Sequence, residues 1–386
     1  MSKTKSNWSL LLIAFIERFA FYLFNSSLIL YLFSGDNFSE EKSLAIYSIF
    51  KILIYSLPII MGIVSDIMDR KKVFMIGLIL SIIGYALIPI LSFNYWLLIF
   101  SIVILAIGIA ILKPNITVFI GDNSSQTGNI KRLFRDFVQM VFLISLAPMI
   151  VNGINDSFTD KTLVISIISS SILILIVFLI YHFISPKNNH QPVDNDLKPK
   201  QPILLLSSIF VLAFIVIVLT NKISPMLAIE TEGSELTFQN ITNFFSVPVT
   251  IILLVILAIK SIRIQLNSIA LLLGLTTIGF SLIFLSIYFD EFSKFSFSPD
   301  SKLSVLALIV VFETLFYPII ILLLYKFSTK YKGFVLGLYY SLIAWIAISF
   351  SKMDLDRLYL LIPIIILIML GIVAILKRNN IKTICT

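Results

Sequence analysis

Long apolar runs, separated by short polar stretches, fill this chain from end to end. An α-helix needs about 20 predominantly apolar residues to cross a ~30 Å hydrocarbon core. Runs of that kind fall near 8–33, 43–65, 73–92, 96–120, 137–152, 162–185, 202–221, 244–259, 267–289, 303–325, 333–350 and 358–376. The pattern predicts twelve transmembrane helices, the fifth and eighth short. No stretch alternates apolar and polar residues as the strands of a membrane barrel do, so the expected fold class is an all-α membrane protein. The opening run is too long for a signal peptide and contains Glu17 and Arg18, and no small-residue cleavage site follows it; it is expected to remain as the first helix.

Composition agrees with a lipid setting. Hydrophobic residues make up 59% of the 386 and charged residues 13%, and the mean hydropathy of +1.03 is more than polar surface could cover in water. The 29 Lys and Arg residues fix the orientation. With both termini cytoplasmic, nineteen of them fall on inner segments and seven on outer ones, leaving Arg18, Lys51 and Lys113 within spans. That asymmetry accounts for the net charge of +8 without a nucleic-acid partner. Cys385 is the only cysteine, and His182 and His190 are the only histidines, so no disulfide, metal site or cofactor is expected.

The longest polar connection after an even-numbered helix is Pro186–Gln201, rich in Pro, Asn, Asp and Lys. It divides the chain into an N-terminal six-helix bundle (1–185), a cytoplasmic linker (186–201) and a C-terminal six-helix bundle (202–386). Carriers built from two repeated bundles have this layout, with the substrate held near the midplane.

Five charges sit inside the predicted spans: Glu17, Arg18, Lys51, Lys113 and Glu313. Each costs on the order of 2.5–3.5 kcal/mol on insertion scales, so charges there normally pair, face water or take part in transport. Plainer readings exist for all of them. Glu17 and Arg18 could lock helices as an ion pair, Lys51 and Lys113 could snorkel to the interface, and Glu313 could serve packing. Pro114 and Pro318 lie next to these charges and are candidate hinges.

Four stretches carry a resemblance. Gly62-Ile-Val-Ser-Asp66-Ile-Met-Asp69-Arg70-Lys71-Lys72, between helices two and three, resembles the G-x-x-x-D-R-x-G-R-[R/K] loop of the major facilitator superfamily, with Gly62, Asp66, Arg70 and Lys71 in register and Ile67 and Asp69 departing. A basic membrane edge is the plainer reading of that loop. Glu17-Arg18-Phe19-Ala20-Phe21-Tyr22 resembles the helix-one motif E-x-x-E-R-F-x-Y-Y of the proton-dependent oligopeptide transporters. Gly108 through Lys113-Pro114-Asn115 to Gly121-Asp122 resembles their helix-four segment, and Phe312-Glu313 to Pro318 their helix-ten element. The departures are Ala14 in place of a first glutamate, Leu23 and Asn25 in place of a glycine and an arginine, Ala110 in place of a glycine, no acid on helix seven, and an added Lys51.

The resemblance implies a proton-coupled symporter of di- or tripeptides in the inner membrane, not an enzyme, working by alternating access and expected to be a monomer. Glu17 and Arg18 would couple protons, while Arg18, Tyr22, Lys113, Asn115 and Glu313 would bind substrate. Lys51, Tyr55 and Tyr317 are further candidates for the cavity wall. Gly62, Asp66, Arg70, Lys71, Pro114 and Pro318 would serve gating. A deprotonated Glu17 would compete with a substrate carboxylate for the nearby bases, and protonation would remove that competition. Two alternatives stay open: a carrier of another small anion or zwitterion, coupled to protons or not, and a transport-inactive relative acting as a membrane scaffold.

Overall fold

The computed structural model of the chain describes residues 3–34, 38–125, 129–155, 160–184, 202–223, 229–231, 234–236, 238–259, 264–293, 299–328, 331–351 and 357–376. Twelve α-helices lie among them: α1 (Lys3–Ser34), α2 (Glu40–Ile67), α3 (Arg70–Leu91), α4 (Tyr95–Ser125), α5 (Ile130–Asn155), α6 (Asp160–Ile184), α7 (Pro202–Ile223), α8 (Phe238–Ala258), α9 (Leu266–Ser293), α10 (Pro299–Phe327), α11 (Lys332–Ser351) and α12 (Arg357–Leu376). Eight contain stretches long and apolar enough to cross a membrane, and Leu206–Thr220, Ser246–Ala258 and Pro363–Leu376 are shorter apolar stretches. The expected all-α membrane fold is what the chain forms. The linker expected at 186–201 lies outside the described residues.

Most helices run longer than the apolar pattern suggests, α5 and α8 the most at their starts. Helix α5 begins at Ile130, and α8 begins at Phe238. In α5 the added turns hold Arg132 and Arg135, both bridged to Asp136 at 3.9 and 3.2 Å. Hydropathy cannot follow a helix into the polar layer, where paired charges replace apolar residues. The pattern also omits a short antiparallel hairpin, β1 (Ile229–Thr231) and β2 (Ser234–Leu236), with Glu230 opposite Glu235.

Packing divides the chain into two compact units, each described by itself. The first comprises Met1–Gln126, Leu143–Gln191 and Lys330–Ser341; the second comprises Thr127–Phe142, Pro192–Thr329 and Leu342–Thr386. The start of α5 therefore groups with the second-half helices, and the start of α11 with those of the first half.

Within the first unit, α3 and α4 approach through glycine. A Cβ on Gly108 would meet Ser81 and the Gly77 carbonyl, and one on Gly84 would meet the Leu105 backbone. Small residues let helix backbones come close where lipid supplies no hydrophobic drive between helices. Beside them Phe24 packs edge-on to Phe50 and Tyr85, with centroids at 5.5 and 5.0 Å. In the second unit Phe280 is the centre of an aromatic group with Phe284, Phe312 and Phe316, all at 5.7–5.8 Å. Helices α9 and α12 meet at Gly274 and Gly371. Hydroxyls buried in these helices donate to the carbonyl one turn back, as Ser81 does to Gly77, Ser124 to Ile120, Thr277 to Leu273 and Thr314 to Val310. Each of these four hydroxyls thereby satisfies its hydrogen within its own helix.

Candidate functional site

The intramembrane charges of the first unit gather around the middle of α1. Glu17 is 1% exposed and Arg18 6%. Although adjacent in sequence, their side chains close on one another: Arg18 Nε donates to Glu17 Oε2 and Nη2 to Oε1, both at 2.5 Å. This two-pronged contact is the strongest geometry available to a guanidinium and a carboxylate. The Arg18 guanidinium also lies 5.1 Å from the centroid of Phe21. The pair acts electrostatically on Tyr22, Tyr85 and Lys113. Tyr55 of α2 feels both Tyr22 and Arg18. Glu17, Arg18, Tyr22, Tyr55 and Lys113, chosen from sequence for different reasons, are therefore neighbours.

Lys113 Nζ lies 4.9 Å from the centroid of Tyr340 on α11, and the Tyr340 hydroxyl is held by Thr117 Oγ1 at 2.8 Å. Lys51 Nζ sits 5.0 Å from the centroid of Tyr47 and 5.7 Å from that of Tyr55, one helical turn to either side. Neither lysine forms an ion pair among the described residues. Asn115 occupies a different setting. It is 0% exposed, and its Nδ2 donates to the Ile111 carbonyl at 2.7 Å, within α4 and next to Pro114.

At the Arg70 end of the same unit a second cluster forms. Asp66 Oδ1 accepts from Arg70 Nη2 at 2.6 Å and from the Gly333 N–H at 2.9 Å, while Oδ2 accepts from the Phe334 N–H at 2.8 Å. The carboxylate thus caps the first turn of α11, where free N–H groups and the positive end of the helix dipole favour an anion. Arg70 continues to Asp122 Oδ2 at 3.2 Å, and Lys332 Nζ reaches Asp122 Oδ1 at 2.9 Å. Gly62 permits the approach, because a Cβ there would run into the Gly333 carbonyl. Asp69, a departure from the loop pattern, accepts from the Lys71 N–H at 3.0 Å and so caps α3.

Gly62, Asp66 and Arg70 come together in this cluster. Asp122, Lys332 and Gly333 join these residues in the structure, Tyr340 joins Lys113 and Thr117, and all four lie outside the site that the sequence points to. Of these only Asp122 carried a sequence signal, in the Gly121-Asp122 pair; the α11 residues match no motif. Glu313 and Tyr317 lie in the second unit, on successive turns of α10. Glu313 is half-buried, acts electrostatically on Tyr317 and forms no ion pair among the described residues. Pro318 is buried beside them.

Buried charge pairs and eight helices long and apolar enough to cross a membrane define a polytopic membrane protein. The chain belongs to the Major Facilitator Superfamily, whose family model matches residues 10–351. It is 27% identical over 184 residues to dipeptide and tripeptide permease B of Xenorhabdus bovienii, covering 46% of this chain and 38% of that permease. Dipeptide and tripeptide permease A of Escherichia coli is 31% identical over 100 residues, covering 26% of this chain and 20% of the permease. The chain thus matches well under half the length of these relatives. Among solved structures it resembles the transporter FucP in the outward conformation, with a TM-score of 0.65 at 18% identity over 98% of this chain and 99% of that one. It also resembles a POT family transporter in complex with 5-aminolevulinic acid, with a TM-score of 0.58 at 16% identity over 98% and 97%. At these identities the structural likeness speaks for the fold.

Proposed function

We propose that the chain is a secondary active transporter of di- and tripeptides, driven by protons and working by alternating access in the inner membrane as a monomer with both termini cytoplasmic. The observation that carries this reading is the buried two-pronged Glu17–Arg18 pair with the Lys113 ammonium in its electrostatic neighbourhood. A carboxylate paired with one cation and near a second can accept a proton and release its partner to a substrate carboxylate. Arg18 and Lys113 serve that carboxylate, and Glu313, without an ion pair among the described residues, serves the substrate's amino group. Asp66, Arg70 and Asp122 act as the gate: breaking the Asp66 cap frees the start of α11. The similarity to dipeptide and tripeptide permeases supports peptides as the substrate class.

A second reading, a carrier of another small anion, is favoured by Lys51 and Lys113, two cations without carboxylate partners among the described residues. One experiment separates the two. Labelled dialanine uptake is followed in proteoliposomes under an inward proton gradient and after its collapse, for the wild type, Glu17→Gln, Lys113→Ala and Glu313→Gln. Gradient-driven accumulation that is lost in all three variants supports the peptide symporter. Accumulation that survives in all three refutes the roles of Glu17, Lys113 and Glu313 in coupling and binding. Absence of uptake by the wild type refutes peptide transport and moves the assignment to another anion.

A further inference from the structure

Lys51 is the one intramembrane charge to which peptide symport through Glu17, Arg18, Lys113 and Glu313 gives no task. Its place on α2 is defined by its neighbours. Tyr47, Lys51, Tyr55, Pro58 and Gly62 share one face at helical spacing, and the last two meet α11: a Cβ on Gly337 would strike the Pro58 carbonyl, and one on Gly62 the Gly333 carbonyl. The other side of α2, with Ile52, Ile60 and Ile63, is exposed and apolar. Lys51 thus lies on the inward face of the helix, and the rings of Tyr47 and Tyr55 hold its ammonium from either side.

Its depth follows from register. Ser43 Oγ donates to the Leu32 carbonyl, and Tyr55 feels Tyr22, so α1 and α2 run antiparallel and Lys51 stands level with Asn25. Asn25 Oδ1 is buried without a hydrogen-bond partner. The offset from Lys113 comes from the other end of the unit, where Asp66 and Asp122 both bind Arg70 and are therefore level. Lys51 precedes Asp66 by fifteen residues and Lys113 precedes Asp122 by nine. At a rise of 1.5 Å per residue the two lysines are offset by about 9 Å along the helices.

Arg18 is already closed on Glu17 through both carboxylate oxygens. We infer that Lys51 and Lys113 together form a two-point anion site, and that Lys51 sets a preference for peptides with an acidic side chain by taking the second carboxylate. Two carboxylates separated by three carbons, each with an ammonium at hydrogen-bond distance on its far side, span a comparable length. Lysine suits this role because its ammonium, a point charge on a flexible stem, adapts to side chains of different reach.

This inference rests on the peptide reading, and its test distinguishes the two. The full chain is reconstituted, and uptake of labelled Ala-Glu is compared with that of Ala-Gln, the neutral peptide of the same shape, for the wild type, Lys51→Gln and Lys51→Arg. Melting temperatures of the purified proteins report folding. The expected result is a wild-type preference for Ala-Glu. In Lys51→Gln the KM for Ala-Glu rises by about tenfold, the effect of one charge-assisted hydrogen bond, while that for Ala-Gln stays within about twofold, and Lys51→Arg retains the preference. Equal wild-type KM values for the two peptides, or a folded Lys51→Gln that alters both or neither, overturns the role of Lys51 and leaves peptide transport standing. A wild type that moves neither peptide overturns peptide transport and this inference together. Should Lys51→Gln fail to fold, the wild-type comparison and Lys51→Arg decide the matter.

Discussion

Asp66→Asn is the sharpest test of how the start of α11 is held. The carboxylate accepts three hydrogen bonds, from Arg70 at 2.6 Å and from the N–H groups of Gly333 and Phe334 at 2.9 and 2.8 Å. An asparagine keeps one carbonyl oxygen and turns an NH2 group toward donors, so at least one backbone N–H loses its acceptor. A hydrogen bond to a charged group contributes about 1.5–3 kcal/mol, and an anion at a helix N-terminus a further ~0.3–1 kcal/mol. Taking about 2 kcal/mol as the lower end of the loss, the open population of this turn rises about 30-fold. Hydrogen exchange in nanodiscs reads this directly: the Gly333 and Phe334 amides should exchange about 30-fold faster in the variant. Asp69→Asn serves as the control, since Asp69 caps only α3 and should leave the α11 amides unchanged. Equal exchange at Gly333 and Phe334 in the wild type and Asp66→Asn would refute the cap as the element that holds this turn.

Two further changes test the packing of the first unit. Arg18→Met leaves the buried Glu17 carboxylate without its partner and should lower stability by about 3–5 kcal/mol, whereas the double variant Glu17→Gln/Arg18→Met, which buries no charge there, should recover most of that loss; chemical denaturation of the purified proteins checks both. Gly337→Ala drives a methyl into the Pro58 carbonyl and should cost about 1–3 kcal/mol, seen as a lowered melting temperature, while Gly153→Ala, with open space around it, should melt as the wild type does.

Much of the fold is legible from the sequence because lipid imposes a simple rule: backbone groups must be satisfied within each span, so long apolar runs become helices. The expected spans and the observed helices agree to within about three residues at each end over α2 and α3. Agreement ends where charged residues continue a helix beyond the apolar layer, as in α5, and where a hairpin forms outside it. At the site, Glu17 and Arg18 were visible because an ionised residue in an apolar run stands out. Their closing on one another was not, since adjacent residues on an ideal helix point about 100° apart and only side-chain rotation brings the groups together. The partner of Asp66 was illegible for another reason. Capping of α11 uses the main-chain N–H groups of Gly333 and Phe334, and the one mark it leaves is a lone glycine, where a Cβ would run into Ser65, the Gly62 carbonyl and Asp66. Asn115 is occupied only in part: its Nδ2 is taken by the helix's own carbonyl, while its buried Oδ1 has no hydrogen-bond partner among the described residues.

Charges in the first unit fall into closed and open sets, and the difference bears on where ligand binding free energy arises. Asp66, Arg70, Asp122 and Lys332 form a chain in which each carboxylate meets at least two donors, and Glu17 and Arg18 satisfy one another through both oxygens. Such closed sets contribute to one arrangement of helices and change only if the helices move. Lys51 and Lys113 have aromatic faces in place of carboxylates. A cation over an aromatic ring gains about 0.5–2 kcal/mol, against a cost of about 2.5–3.5 kcal/mol for a lysine at the centre of a membrane span. Water, an incoming anion or loss of the ammonium proton makes up the shortfall. An anion that displaces water from these two ammoniums gains what the protein itself does not supply, whereas the same anion arriving at Arg18 must first compete with Glu17. Under the proposed reading, binding and coupling divide between residues: the open lysines would give affinity, and the closed pair, opened by protonation of Glu17, would link affinity to the proton gradient.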